Sequence, residues 1–433
     1  MIDTLKEIIL DFQERGPRDQ GFPRALAIRV VPNKATICIG VRRCGKSTYL
    51  FQIMQKLLDH KVAIENIIYI NFFDDRLHNL KDLDLVNEAY FSIYPNKKNN
   101  EKVYYFLDEL QVITNWEAFV DRVMRTENSE IYISGSSAQM LAKEIATQMR
   151  GRALSWELFP FSFSEFLKAK GVEQSKNRST KMRLLIQKAF EEYWEVGSFP
   201  ETLFLDEYLR RKIHQEYFQA ILFRDLVERH DISHPKALLD LAYRLVDNVA
   251  CLYSINKLTN YLKSQGHRVP KAKVGQYLEW FEDAYFLFSV HLFDASLSRS
   301  KANPKKIYCV DHAFVRSISS GILVGHLLEN MVFIALRRTT SDIWYCRTQD
   351  GYEVDFLAEF AKRKRMLVQV CGNLKDAKTE EREIRALVSA MEEHNIENGS
   401  IVTFNESKTI KHGDRTILVQ PIWRFLLNLS DVG

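Results

Sequence analysis

The sequence has no long apolar run. Its longest, residues 284–293, is interrupted by Ser289 and His291 and is too short to cross a bilayer, so no membrane insertion is expected. Cysteine is sparse. Six residues, at 38, 44, 251, 309, 346 and 371, contain no pair at metal-ligand spacing, which points to free thiols in a reducing compartment and against structural zinc. With 10 Pro and 17 Gly in 433 residues, neither a fibrous repeat nor a flexible low-complexity chain is possible. Charge of one sign is also lacking. Sixty Lys and Arg against 56 Asp and Glu leave a net +4, which neither demands nor excludes nucleic acid, because a basic face can hide in a near-neutral total. The first residues, MIDTLKEIILDFQER, place acids where a signal peptide needs a basic start, so the expected location is the cytoplasm. What remains is an ordinary globular composition, 46% hydrophobic and 27% charged, in a chain long enough for two to four domains.

Apolar runs of strand length occur at 35–39 (ATICI), 67–72 (IIYINF), 103–107 (VYYFL), 131–134 (IYIS) and 154–158 (LSWEL). Helical spacing fills the intervals at 46–59, 82–91, 116–125 and 138–148. Such alternation predicts a parallel α/β sheet covered by helices. From 161 the pattern turns helical and aromatic, notably at 181–194 and 207–229. Shorter helices follow from 235, then a Lys-rich turn and the strand IYCV. From 321 a helix leads back to strands around Ile343, Val354, Val368 and Val402. No internal repeat is evident. The expected divisions are 1–160, 161–234, 235–320 and 321–433.

The strongest motif is Gly40, Val41, Arg42, Arg43, Cys44, Gly45, Lys46, Ser47 and Thr48, which fits G-x-x-x-x-G-K-[ST] without a gap. The two glycines let the backbone fold back so that consecutive N–H groups point inward at phosphate oxygens, and the following helix adds the positive end of its dipole. Lys46 then reaches the β/γ-phosphates and Ser47 sits on Mg²⁺. An apolar strand before the loop and an amphipathic helix after it supply the required context.

A second signal is VYYFL followed by Asp108 and Glu109, a buried strand ending in two acids at the sheet edge where the loop also lies. Asp108 suits the Mg²⁺ shell, and Glu109 suits polarising an attacking water. Asp-Glu after a strand is otherwise a common helix cap. A third strand, IYIS, ends in small hydroxyl residues, and Ser136 or Ser137 is placed to sense a γ-phosphate or, equally, to cap the next helix. Beyond that helix, Arg150 and Arg152 are either a finger reaching a neighbouring subunit's nucleotide or a surface basic turn.

GVRRCGKST, YYFLDELQ followed by Trp116, ISGSS and RGRALSWELFPFSFSEF together resemble the archaeal-type AAA ATPases of the AAA+ superfamily. The resemblance implies ATP as the nucleotide, a P-loop core with the AAA+ strand order, a helical lid over 161–234, a winged-helix-like segment over 235–320 and a nuclease-like C-terminal domain. Lys46 and Ser47 match its Walker A pair, Asp108 and Glu109 its Walker B pair, and Arg150 or Arg152 its basic pair.

In the middle segment, Ser254 caps one short helix and Pro270 opens a second that carries Lys271, Lys273 and Gln276, with SLSRSKANPKKIYCV available as a basic wing. Contact with DNA or RNA through this element is one expectation; simple packing against other domains is the other, since Glu279, Glu282 and Asp283 share the helix. The C-terminal order of helix, strands, helix and strands is similar to PD-(D/E)XK nucleases. There Glu329 and Asp355 match metal-binding acids, but Gln369 stands where the second acid belongs and Cys371 where the lysine belongs. Gln369 removes a charge from the metal cage and a thiol cannot orient hydroxide as an ammonium does, so hydrolysis is not expected there. Lys375 lies on the following loop, and the 361–365 turn (AKRKR) offers a basic tip for a nucleic-acid backbone.

Three functions follow: an ATP-hydrolysing machine that moves its appendages, an ATP-gated metal-dependent nuclease, or a nucleotide-loaded binding switch with little turnover. The first is favoured, with ATP and Mg²⁺ as cofactors and homo-oligomerisation implied by a finger acting in trans.

Overall fold

Strand-forming runs that are apolar on both faces demand cover on both sides, and the first part of the chain supplies it. The computed structural model describes residues 1–433 other than 19, 99, 137–148, 150, 173–178, 320, 322 and 430–433. It divides into two compact units, residues 1–159 with 283–285, and residues 160–282 with 286–433.

In the first unit, strands β1 (Ala35–Ile39), β2 (Ile67–Asn71), β3 (Val103–Asp108), β4 (Ser129–Gly135) and β5 (Ala153–Glu157) form one parallel sheet in the order β2-β3-β4-β1-β5. Side chains alternate across a strand. Phe106 and Tyr132 therefore lie on one face, stacked at 4.6 Å, and pack with Phe12, Leu50, Met54 and Ile67. Their neighbours Tyr105, Leu107, Ile131 and Ile133 point to the opposite face and are equally buried. The helix Lys46–Asp59 begins directly after the β1 loop, with left-handed Gly45 preceding it. An amphipathic helix, Ile2–Arg15, contributes Leu5, Ile8, Ile9 and Phe12 to the core. The helix expected at 138–148 lies outside the described residues.

The second unit is organised by a mixed sheet of nine strands: β6 (Leu252–Tyr253), β7 (Leu287–Leu292), β8 (Lys305–Cys309), β9 (Ile343–Arg347), β10 (Glu353–Glu359), β11 (Arg365–Val370), β12 (Asn398–Thr403), β13 (Lys408–His412) and β14 (Arg415–Pro421). Their order is β13-β14-β12-β11-β10-β9-β7-β8-β6. The segments set apart in the sequence as 161–234, 235–320 and 321–433 share this unit, and the sheet runs across the join at 320. Strand β8 pairs antiparallel with both β6 and β7, and β7 pairs parallel with β9. Ile307, Cys309 and Val310 are buried, and so is Lys306, which the basic stretch SLSRSKANPKKIYCV placed on an exposed wing. The helix predicted over 207–229 is α-helical over Glu207–Ala220 and continues as π-helix over Ile221–Glu228, which turns Asp225 inward within 3.9 Å of Arg229.

Candidate nucleotide-binding site

The loop from Gly40 to Gly45 leaves the end of β1 and closes on the helix Lys46–Asp59. Gly40 is required by close approach: a Cβ there would meet the Leu158 carbonyl oxygen at 2.1 Å. Val41 and Cys44 are buried, Arg43 adopts a left-handed conformation, and Arg42 lies over the Phe73 ring at 5.6 Å. Lys46 is only 4% exposed. Its ammonium donates to the carbonyls of Gly40 (3.2 Å) and Val41 (3.3 Å) and lies 3.7 Å from Glu109 Oε1. Burial alone would lower its pKa, but Glu109 and the nearby thiols and Asp108 outweigh it and hold the group above the usual lysine value.

Asp108 ends β3 and is completely buried. A buried carboxylate needs partners, and it has several. Ser134 Oγ donates to Oδ1, Tyr69 OH donates to Oδ2 at 3.0 Å, and Ser47 also hydrogen-bonds the carboxylate. Burial first, then Glu109, raises the Asp108 pKa against these bonds. A cation beside it would act in the opposite sense. Glu109 sits just past the strand in a left-handed conformation, with its N–H donating to Ser134 Oγ at 3.0 Å. Gln111 Nε2 donates to Glu109 Oε2 at 2.6 Å and lies 3.4 Å from Ser136 Oγ. Strand β4 lies between β1 and β3, so Ser134 is level with Cys38 on one side and joins the acid pair on the other.

Three elements distant in sequence thus meet: the 40–48 loop, the 108–109 acids and the 134–136 strand tip. Sequence reasoning missed Tyr69, Ser134, Gln111 and Arg24. The Arg24 guanidinium donates to the Cys44 carbonyl at 2.8 Å, and the flanking segment is held by Gln52 to the Gln20 and Phe22 carbonyls at 2.6 and 2.8 Å. No motif marks it. Thr48 is half-buried beside Gly21. Arg152 is half-exposed and ion-paired with Asp121 at 2.7 Å, while Arg150 and Ser137 lie outside the described residues.

In the second unit, Glu329 on the helix Val324–Arg337 and Asp355 on β10 do come together, but around Lys306 of β8. Gln369 is adjacent: its Oε1 accepts from Asp355 N–H at 3.2 Å and its Nε2 donates to Glu383 at 2.7 Å. Cys371 turns away, with Sγ donating to the Asn373 carbonyl at 3.0 Å. Burial, then Asp355, pushes the Glu329 carboxyl up to about 7. Lys375 and the 361–365 turn are exposed. Lys273 lies over the Trp280 ring at 4.6 Å, and His230 stacks on the same indole at 4.3 Å.

Residues 32–167 match the family described as an AAA domain, and residues 187–321 and 324–425 match two domains of unknown function, DUF8612 and DUF4143. The first unit is therefore a P-loop core of the AAA type. The whole chain is 36% identical to uncharacterized protein MJ1544 of Methanocaldococcus jannaschii over 99% of its own length and 96% of that protein's, and it belongs to the same family. An uncharacterized Haemophilus influenzae protein is 32% identical, over 74% of this chain and 78% of that one. Among solved structures, the Walker-type ATPase paby2304 of Pyrococcus abyssi aligns over 73% of this chain and 95% of its own, with 14% identity and a TM-score of 0.41. That superposition is too loose to carry an argument about function. Among the described residues, no helix is long and apolar enough to cross a membrane.

Proposed function

We propose that this protein binds Mg-ATP in the first unit, hydrolyses it, and uses the cycle to reposition the second. The observation that carries this reading is the convergence of Lys46 and Ser47 with Glu109 and Asp108, two motifs about sixty residues apart in sequence, on one sheet edge. The amides of the 40–45 loop face the phosphates, and Lys46 leaves its loop carbonyls for the β/γ oxygens. Ser47 and Asp108 would hold Mg²⁺, whose chemistry is to neutralise charge building on the phosphates. The residues fit that ion: a hydroxyl and a buried carboxylate share one hydrogen bond and face the loop. Glu109 orients and deprotonates the attacking water, and Ser136 reports on the γ-phosphate. Arg150 or Arg152 completes the site of a neighbouring copy.

In this reading residues 161–234 are a lid, 235–320 a winged-helix-like element and 321–433 a nuclease-like domain without hydrolysis. The second unit recruits DNA, RNA or protein. The test is ATP turnover against ATP affinity in Glu109→Gln: hydrolysis is lost while binding survives. Unchanged turnover in that variant overturns the role of Glu109. One observation favours a slower, switch-like protein: the Glu109 carboxylate is already engaged by both Gln111 and Lys46. Turnover measured with and without DNA or RNA, across protein concentration, separates the two. Stimulation identifies the partner and concentration dependence identifies assembly.

A further inference from the structure

The nuclease-like carboxylates Glu329 and Asp355 raise the question of what cation they hold. The answer is covalently attached. Lys306 is 4% exposed, and its Nζ lies 3.0 Å from Glu329 Oε1, 3.1 Å from Glu353 Oε1 and 2.8 Å from Asp355 Oδ1. Its ammonium donates to Glu329 Oε1 and Asp355 Oδ1, and the Glu353 carboxylate pairs with the same charge. Other groups also hold these carboxylates. Tyr308 OH donates to Glu329 Oε1 at 2.7 Å, Val370 N–H to Asp355 Oδ2 at 2.9 Å, and Arg347 lies 3.5 Å from Glu353 Oε2. Gln369 donates through Nε2 to Glu383, and its carbonyl oxygen is taken by the Asp355 N–H.

We propose that Lys306 is the resident cation of this cluster, filling the place a divalent metal would take, so that the second unit binds no metal there and cuts no phosphodiester. A further observation supports it: among the described residues no group of three His, Cys, Asp or Glu is arranged to hold a metal ion. The lysine comes from β8, at the end of the basic stretch SLSRSKANPKKIYCV read as a wing; its register sends Lys306 inward. Glu353 and Asp355 lie on β10 of the same sheet and Glu329 on the helix Val324–Arg337, so the lysine also ties β8 to β10 across β9 and β7, and to that helix.

The test is Mn²⁺ binding to the nucleotide-free full chain, read from loss of the free-ion electron paramagnetic resonance signal. The arms are wild type, Asp355→Asn, Lys306→Ala, Lys306→Gln and Lys306→Ala/Asp355→Asn, each checked for folding by circular dichroism. Comparison with Asp355→Asn separates this centre from any Mn²⁺ at the P-loop. Wild type and Asp355→Asn bind the same amount of Mn²⁺. Lys306→Ala, or Lys306→Gln if the alanine variant does not fold, gains one further ion and melts at higher temperature in its presence. Adding Asp355→Asn weakens that gain by roughly 10–100-fold, as loss of a ligand or its support does. Wild-type binding that Asp355→Asn removes overturns the proposal, as does a folded Lys306 variant that binds no more Mn²⁺ than wild type.

Discussion

Gln111 Nε2 donates to Glu109 Oε2 at 2.6 Å, so the second acid of the strand tip is held by a side chain only two residues further on. The opposite oxygen of that carboxylate faces Lys46 at 3.7 Å. Glu109 is therefore aimed from both sides, and each contact has a measurable consequence.

Removing the amide lets Glu109 rotate without removing its charge. Gln111→Ala is expected to lower the ATP turnover number by about tenfold, a positioning loss, while leaving ATP affinity within about twofold. Steady-state turnover paired with equilibrium nucleotide binding gives both numbers. A matching fall in affinity would assign Gln111 to binding instead.

Ser134 serves two buried groups at once, donating to Asp108 and accepting from the Glu109 N–H. Ser134→Ala strips one partner from each. The expected loss is about 1–3 kcal/mol of stability, the cost of leaving buried polar groups short of a partner. Urea unfolding followed by tryptophan fluorescence measures it, and Trp116 in the first unit is buried enough to report.

Gly40 has no room for a methyl group. Gly40→Ala drives a Cβ to 2.1 Å from the Leu158 carbonyl oxygen, and backbone, unlike a side-chain tip, cannot rotate away. Displacement of the loop should abolish nucleotide binding and cost roughly 1–3 kcal/mol of stability. Calorimetric titration with Mg-ATP checks the first part and denaturant unfolding the second. Retained affinity would mean that the loop is more compliant than its packing indicates.

His214 carries a pH prediction for the second unit. It is fully buried among Phe199, Tyr217 and Phe314, with Nδ1 against Ser317 Oγ at 2.8 Å and Nε2 without a hydrogen-bond partner. Burial lowers its pKa to about 4, against the opposing pull of Asp311 and alongside Arg210 and His312. The folded state therefore takes its proton later than the unfolded chain does. Above the ordinary histidine value the group is neutral in both states and has no effect. As pH falls from about 6.5 to about 4 the unfolded chain gains the proton first, and stability drops by on the order of 3 kcal/mol. His214→Phe should flatten that loss between pH 7.5 and 5 in urea titrations. An unchanged slope would place the proton elsewhere.

Much of the first unit was legible from local pattern. The runs ATICI and IIYIN and the helix Lys46–Asp59 are where spacing puts them, because each buries its own apolar residues along a fixed period. The loop and the acid pair were legible for a different reason: phosphate chemistry needs glycine, lysine and a hydroxyl at fixed offsets. What supports them was not. Ser134 and Tyr69 look like ordinary strand residues until β3 is seen lying between β2 and β4, and pairing order is a long-range fact. Arg24 acts through an irregular segment with no period at all. The second unit misled most where charge was taken for exposure. Lys306 belonged to a run of basic residues, and only the register of β8 between β7 and β6 decides that it faces three acids.

The account's central claim is that the 40–48 loop and the 108–109 acids are one site. Binding of a fluorescent ATP analogue to the purified full chain, with and without Mg²⁺, tests it most directly, in wild type, Lys46→Ala and Asp108→Asn. Saturable binding in wild type is expected to be strengthened by Mg²⁺, lost in Lys46→Ala, and made indifferent to Mg²⁺ in Asp108→Asn. Absence of saturable binding in the folded wild type, or binding that ignores both substitutions, would contradict it.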